Sequence, residues 1–298
     1  MNILYLLDQW PFPVISGARA HDKLMLKCLT EDWNATPVCW DDQSIRRPIG
    51  LPASHVLRHN KLGWSNILPA VLDMYLRDRP LHYTEFAGPH ARRQLRSVVG
   101  DVEPDVIVLS SPDLACTVPY LKSMSGAKIV VDTHDIQLQR CQSILRSLRA
   151  TDVTEVLRYL LLTRSYTLTE KYIYRDVDSA WVLKEEDKQL LASYESCKHI
   201  HVVPNVVDPD SVGELLPDES PAQEVPLAFV FVGKYDYLPN EQCALQLIEW
   251  FADGPLAAGH VPLYLIGVAP SDAMNRGARN LSNVLVTGSV PSLQEYLK

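Results

Sequence analysis

The sequence lacks several features that would place it directly in a functional class. Its six cysteines form no Cys-x-x-Cys pair, which argues against a zinc site or a disulfide framework and favours reduced thiols in a cytoplasmic protein. No Gly-x-Gly-x-x-Gly motif occurs, which argues against an oxidoreductase or epimerase that binds a dinucleotide. Basic residues are not in excess, since the net charge is −8, so nucleic acid is not an expected partner.

Segments typical of secretion or membrane insertion are also missing. No Lys or Arg precedes the apolar run that starts at Asn2, so we do not predict a secretory signal. No apolar run reaches the roughly 20 residues that a membrane-spanning helix requires. We therefore expect a soluble cytoplasmic protein, with peripheral association with the inner face of a membrane as the remaining option.

Two segments share one layout, in which an apolar strand leads through a polar turn into a helical run. The first consists of the strand 2–8, the loop 9–17 and the helix that follows. The second consists of the strand 227–233, the turn 234–240 and the helix 241–250. A helix that follows a strand in this way can aim its free N–H groups at an anionic ligand. Two such starts predict two α/β domains.

Apolar runs of strand length recur along the chain, with helical segments between them. Strands are predicted at 3–7, 36–40, 105–109, 128–131, 180–183, 199–203, 229–232, 263–266 and 283–286, and further helices at 18–29, 87–99, 114–123 and 150–174. Runs of Val and Ile without alternation are typical of parallel strands that are buried on both faces. The order of these elements predicts an α/β fold of two doubly wound, Rossmann-like domains.

The domain boundary is predicted from a polar segment that prolines interrupt. Residues 206–226 show no apolar periodicity and read as a linker. The first domain would then cover 1–205 and the second 227–298. The second domain is expected to be incomplete, because it has three predicted strands where a doubly wound domain usually has five or six.

Five short segments provide a further comparison. They are Ser16-Gly17-Ala18-Arg19, Val131-Asp132-Thr133-His134-Asp135, the stretch Glu170–Asp187 with its Asp178-Ser179-Ala180 turn, Val203-Pro204-Asn205-Val206-Val207-Asp208, and Phe231-Val232-Gly233-Lys234 leading to Tyr237-Leu238-Pro239-Asn240. In this order they resemble the retaining glycosyltransferases of family 4, which have the GT-B fold of two Rossmann-like domains. The last segment is similar to that of the exopolysaccharide-type sugar transferases.

The resemblance implies an activity. It implies transfer of a sugar from a nucleotide-diphosphate sugar to a glycan, lipid-linked or small-molecule acceptor, with retention of configuration and without a metal or other cofactor. The family's Glu-x7-Glu donor segment would lie after Lys298, so a C-terminally truncated second domain is expected. The alternative is an inactive or split remnant that acts only by binding, or that needs a partner chain to complete the second domain.

The resemblance also implies roles for single residues. His134 is the predicted catalytic residue, in contact with the donor sugar. The other candidates are Gly17, Gly233, Lys234 and Asn240 for the donor and its phosphates, and Arg19, His21 and Asp135 on the acceptor side.

Each of these assignments has a plainer alternative. Gly17 could serve only a tight turn, His134 could cap a loop, and Lys234 could be an exposed loop lysine. Asp132, His134 and Asp135 could suggest a metal site, but three neighbouring residues rarely converge on one ion. We therefore predict no metal.

Overall fold

The computed structural model describes most of the chain and divides it into two compact units. The described residues are 1–12, 17–41, 55–58, 66–149, 151–205, 227–257, 261–291, 293 and 296. The units are Met1–Val206 and Val207–Lys298. The predicted linker 206–226 lies outside the described residues, as does Ser16.

The first unit is built on a parallel sheet of seven strands. They are β1 (Asn2–Leu7), β2 (Asn34–Asp41), β3 (His55–Arg58), β4 (Val106–Leu109), β5 (Lys128–Asp132), β6 (Ser179–Val182) and β7 (Ile200–Val202), in the order β3-β2-β1-β4-β5-β6-β7. Tyr5 of β1 lies opposite Pro37 on one side and Val108 on the other. The strand order reverses between β1 and β4, and ligands of such sheets bind beside this switch point, at the carboxyl ends of the strands.

Helices connect the strands of this sheet. They are α1 (Gly17–Asp32), α2 (Ile67–Arg77), α3 (Tyr83–Phe86), α4 (Pro89–Val102), α5 (Val118–Met124), α6 (Gln137–Ser147), α7 (Val153–Lys171) and α8 (Glu185–Ser193), with 3₁₀ helices at Pro112–Thr117 and Ile173–Asp176. None of the helices in the described part of the chain combines the length and the apolar composition needed to cross a membrane.

Strand β1 runs through the middle of the core and is buried on both faces. Tyr5 and Leu7 pack with Leu26 of α1 on one face of the sheet. Leu4 and Leu6 pack on the other face, in the larger core cluster. Burial on both sides explains why β1 is an uninterrupted apolar run. The predicted α/β fold with parallel sheets is thus confirmed.

The structure contains every predicted strand and adds elements that we did not predict. Strand β3 is short, and α2 carries Pro69 in its first turn, where proline is tolerated because the N–H is not needed there. The predicted helix 114–123 is wrong in its first half, which is a 3₁₀ helix; α5 starts only at Val118, with Pro119 in its first turn.

Helix α6 obtains its N-terminal cap from another helix. Its N-cap residue, Ile136, has no side-chain acceptor. Glu170 of α7 supplies it instead, because Glu170 Oε1 accepts from the backbone N–H of Gln137 at 2.7 Å and of Leu138 at 3.3 Å. Glu170 is fully buried. Burial raises its pKa to about 8, although these two backbone hydrogen bonds oppose the shift.

The second unit has a smaller parallel sheet in its described part. Strands β8 (Phe229–Val232), β9 (Leu263–Ile266) and β10 (Val284–Gly288) lie in the order β10-β9-β8, with helices α9 (Leu238–Ala252) and α10 (Asp272–Ala278). Gly267, just after β9, has a positive φ, and a Cβ there would collide with the carbonyl oxygen of Gly233. Glycine therefore lets the ends of β8 and β9 approach each other.

We predict that Glu170→Ala lowers the free energy of unfolding by about 2–3 kcal/mol, because two buried N–H groups lose their acceptor. Urea unfolding followed by circular dichroism measures this loss. Glu170→Gln is the matched control: its amide oxygen can still accept, so most of the stability should remain. Equal losses in the two variants would contradict the capping role.

Candidate functional site

Polar residues follow the apolar strands at the carboxyl edge of the first unit's sheet. Asp8 follows β1, Ser110 follows β4, and His134 stands two residues after Asp132, the last residue of β5. Because the strands are parallel, their carboxyl ends meet at one edge. The Ser110 hydroxyl is buried there and has no hydrogen-bond partner among the described residues. The sheet thus collects acid–base groups next to its switch point.

A buried hydrogen bond joins α1 to the end of β5. His21 Nε2 lies 2.7 Å from Asp132 Oδ2, and both residues are almost completely buried. Buried polar groups of this kind need partners, because an unpaired polar group in the interior costs far more free energy than one that water can hydrate. The pair therefore fixes the first turns of α1 against β5. His21 was a candidate from the sequence, and its pairing with Asp132 was not predicted.

His134 is paired with Asp22, an acidic residue of α1. Its Nε2 lies 3.5 Å from Asp22 Oδ1, and the Tyr5 hydroxyl donates to that same oxygen at 3.1 Å. The backbone of His134 is left-handed, with φ of 46°, a conformation that non-glycine residues adopt only when their surroundings impose it. Its ring stands nearly perpendicular to that of His21, with the centroids 4.9 Å apart.

The electrostatics of this cluster set the charge of His134. Burial by itself would lower the pKa of His134, but the hydrogen bond to Asp22 and the charges of Asp132, Asp22 and Asp8 outweigh it and raise the pKa to about 9. At neutral pH the side chain is then a cation. Burial, assisted by the charges of Asp22 and Asp113, raises the pKa of Asp8 to about 7. Perturbed groups of this kind concentrate at functional sites.

A metal ion was not predicted, and the cluster must be considered for one. His21, Asp132 and His134 each offer a ligand atom, and these atoms lie within 4.8 Å of one another; in the described part of the chain no other group of this kind is found. Zn²⁺ needs ligands at about 2.0–2.2 Å, so the atoms would have to move together. His21 and His134 are instead paired directly with Asp132 and Asp22.

A second acid–base cluster lies where β4 ends. His82 Nδ1 is 2.8 Å from Glu85 Oε2, and its Nε2 is 3.7 Å from Asp113 Oδ1, to which the Tyr166 hydroxyl donates at 2.9 Å. Burial by itself would lower the pKa of His82, but the two acids outweigh it and raise the pKa to about 9. This cluster was not predicted, and its only local signal in the sequence is weak, a His and a Glu three residues apart.

The other candidates of the first unit occupy more exposed positions. Gly17 is the first residue of α1, and a Cβ there would meet no atom within 4 Å. Its surroundings therefore do not require glycine. Arg19 Nη2 donates to Gln9 Oε1 at 2.9 Å. The side chain of Asp135 is 59% exposed, so only His21 of the acceptor-side candidates is brought into the buried cluster.

In the second unit, two candidates lie in the turn after β8 and the third, Asn240, lies in the first turn of α9. Lys234 Nζ lies 3.0 Å from Asp236 Oδ2, in an exposed pair. Asn240 Nδ2 donates to the Lys234 carbonyl at 3.0 Å, and a Cβ at Gly233 would press against the same amide. Asn240 thus stabilises the turn that presents Lys234, and an exposed pair of this kind is weak enough for an anion to compete with it.

Asp8 and Asp22, two of the three acids that raise the pKa of His134, were not among the residues predicted from the sequence. Asp8 could have been found, because it is the first charged residue after a buried strand. Asp22 follows His21 directly, but its inward orientation depends on how α1 packs. His21 and Asp22 are neighbours in the chain, yet they contact different partners: His21 contacts Asp132, and Asp22 contacts His134.

We predict that Asp22→Asn lowers the pKa of His134 from about 9 towards 6.5, because the variant removes the charge and keeps an acceptor for Tyr5. NMR titration of the imidazole measures the pKa directly. The control is Asp135→Asn, an exposed neighbour, which should leave the value unchanged. A wild-type His134 that titrates at or below 6.5 would contradict the proposed pairing.

The same pKa shift predicts how stability depends on pH. A histidine whose folded pKa lies above its unfolded value stabilises the fold fully below pH 6.5, and this contribution is lost as pH rises through about 9. The difference in unfolding free energy between wild type and Asp22→Asn should therefore shrink over this range. A difference that stays constant would contradict the shift.

Comparisons with known proteins support the fold. No protein-family model and no curated protein sequence matches the chain. Sucrose-phosphate synthase of Thermosynechococcus elongatus matches with a TM-score of 0.61 at 11% identity, over 100% of this chain and 72% of that one. The lipopolysaccharide outer core galactosyltransferase WaaB matches with a TM-score of 0.59 at 14% identity, over 100% and 70%. HepE of Anabaena, solved with UDP and glucose, matches with a TM-score of 0.54 at 16% identity, over 99% and 71%. The chain has the Rossmann-like fold of these GT-B proteins.

Proposed function

We propose that the protein is a glycosyltransferase that moves a sugar from a nucleotide-diphosphate sugar to a glycan, lipid-linked or small-molecule acceptor. The observation that carries the proposal is the cationic His134, held by Asp22 at the carboxyl end of β5. The fold supports it, because sucrose-phosphate synthase and WaaB are named for sugar synthesis or sugar transfer.

The reaction breaks the bond between the anomeric carbon and a diphosphate oxygen. Negative charge develops on the leaving diphosphate, and positive charge develops on the sugar ring. Hydrogen-bond donors that are already in place stabilise such charge most effectively. In the first unit, His134 and the N-terminus of α1 are groups of this kind. In the second unit, Lys234, which follows Gly233, supplies an ammonium group, with Asn240 holding the turn.

His134 is proposed to donate a hydrogen bond to the donor sugar, close to the reacting carbon. Asp22 and Tyr5 keep its ring in place, and preorganised geometry of this kind lowers the barrier because little reorganisation is needed. Gly17 is proposed on the donor side, where its lack of a side chain leaves the start of α1 open. Arg19, His21 and Asp135 are proposed on the acceptor side.

The proposed stereochemistry is retention. The acceptor oxygen would then attack the face that the diphosphate leaves, and its proton would pass to the leaving phosphate oxygen.

The His21–Asp132 pair is compatible with a second mechanism, in which the anomeric configuration is inverted. With His21 Nε2 donating to Asp132, the other ring nitrogen could take the acceptor's proton as a general base, and attack from the opposite face would invert the anomeric centre. The configuration of the product, read from the NMR coupling constant of its anomeric proton, decides between them.

The proposed transfer needs no metal ion. If so, treatment with EDTA should leave activity unchanged. If instead His21, Asp132 and His134 held an ion, EDTA would remove the ion and abolish activity.

The six cysteines are free in the structure, which supports the expectation of a reducing, cytoplasmic compartment.

We predict that His134→Ala lowers the turnover number by about 10²–10³-fold, as loss of one preorganised donor does elsewhere. The assay is release of nucleoside diphosphate from UDP-glucose and other nucleotide-diphosphate sugars by the purified chain. His90→Ala, an exposed histidine on α4, is the matched control and should behave as wild type. Unchanged turnover in His134→Ala would exclude the proposed role.

We predict that Lys234→Met weakens binding of the same donor about tenfold or more, because a charge-assisted hydrogen bond contributes about 1.5–3 kcal/mol. Isothermal titration calorimetry measures the loss. Lys188→Met, on α8 of the first unit, is the control. If the wild-type chain binds no nucleotide sugar, the alternative applies, in which the protein acts by another kind of binding or needs a partner chain.

A further inference from the structure

Two neighbouring helices of the first unit expose rows of large apolar side chains. On α2 the row consists of Leu68, Leu72, Tyr75 and Leu76, and on α7 it consists of Val153, Leu157 and Leu160; we call these residues the α2–α7 apolar face. The spacing of three to four residues places each row along one side of its helix. Leu76 is 78% exposed and Leu157 is 57% exposed.

These rows lie on the sides of the helices that do not pack against the core. Helix α2 already buries its other side, where Ala70 and Met74 pack with Leu168 of α7. An ion pair of 2.6 Å between Arg164 and Asp78 also ties the two helices together. Leu160, which lies within the predicted helix 150–174, is 47% exposed. Rows of exposed apolar side chains, unlike single scattered ones, usually mark an interaction site.

The charges beside the face indicate what covers it. The segments 66–80 and 137–164 contain seven arginines and four acidic residues, while the whole chain has a net charge of −8. Four of these arginines pair with acids of the same segments. The guanidinium groups of Arg146 and Arg149, exposed just before α7, have no acidic partner in the described part of the chain, although the backbone N–H of Arg149 donates to Asp152. Arginines beside an apolar helix face suit a membrane surface, since their long stems let the charge reach anionic headgroups.

We propose that the α2–α7 apolar face binds the surface of an anionic lipid bilayer. Leucines would enter the boundary between headgroups and acyl chains, Tyr75 would lie at headgroup level, and Arg146 and Arg149 would contact lipid phosphates. A second copy of the same face fits less well, because it would bring two positively charged surfaces together.

The position of α7 connects this surface with the candidate site. Tyr166, on the same helix, donates a hydrogen bond to Asp113 after β4. Tyr166 lies six positions after Leu160, which corresponds to about 9 Å along a helix axis. A lipid-linked acceptor is therefore the class of acceptor that the face favours. This last step rests on the proposed function, whereas binding to lipid does not.

Vesicle co-sedimentation with the full chain, without any sugar donor, tests the proposal. Vesicles of phosphatidylcholine with phosphatidylglycerol should bind the protein, and vesicles of phosphatidylcholine alone should bind it much more weakly. The double variant Leu72→Glu, Leu157→Glu should reduce binding by about a hundredfold, or about tenfold per leucine. Leu285→Glu, which changes an equally exposed leucine of β10, should bind as wild type does.

A second variant separates the contribution of charge from that of the leucines. Arg146→Gln with Arg149→Gln removes no apolar contact, and it should abolish the preference for anionic vesicles and the loss of binding at high salt. Circular dichroism verifies that all the variants are folded. The proposal is overturned if wild type binds neither kind of vesicle, or if the leucine double variant binds as wild type does. It is also overturned if the wild-type protein forms dimers in analytical sedimentation and the leucine double variant does not. A second copy of the chain would then cover the α2–α7 apolar face.

Discussion

The hydrogen bond between His21 and Asp132 is the contact on which the candidate site depends. It joins residues 111 positions apart in the chain and lies in the interior, where each partner would be costly without the other. By fixing α1 against the end of β5, it also sets the direction of Asp22, the next residue. Asp22 in turn receives the Tyr5 hydroxyl and faces His134. One buried contact therefore sets the orientation of the groups around the proposed reacting centre.

The same constraint explains why a histidine can remain charged in a largely buried place. Burial works against the imidazolium, and three acids outweigh it. Burial, assisted by the charges of Asp22 and Asp113, also raises the pKa of Asp8, so that Asp8 is protonated more easily than an ordinary aspartate. The cluster thus holds a cation and a carboxyl group with a pKa near neutrality at one edge of the sheet. This is a suitable environment for stabilising a developing charge and for moving a proton.

Much of the fold could be predicted from the sequence, because buried parallel strands leave a local signal. The run Asn2–Leu7 is apolar at nearly every position, and the polar residues after each strand indicate where the edge lies. The site could be predicted only in part. His134 lies two residues after β5 and was a candidate from the sequence, but its pairing with Asp22 depends on the packing of α1, which no local pattern encodes. Nor does spacing reveal that Lys234 is paired with Asp236.

The element that the sequence concealed most fully is α2. Its apolar residues lie on both the buried and the exposed side, and Pro69 interrupts the pattern, so no single periodic stripe marks a helix. What obscures the helix in the sequence is also what makes it unusual in the structure. A helix with two apolar sides needs two partners, and the core supplies only one of them. The exposed rows and the acid–base cluster belong to the same unit, and α7 reaches both.

The most direct test of the account is a structure of the chain determined with UDP-glucose, or with whichever nucleotide-diphosphate sugar most raises its melting temperature. We predict that the sugar ring lies within hydrogen-bonding distance of His134 Nδ1, with Asp22 still paired to Nε2 of the same imidazole. A sugar bound away from the carboxyl end of β5, with the His134–Asp22 pair facing only solvent, would contradict it.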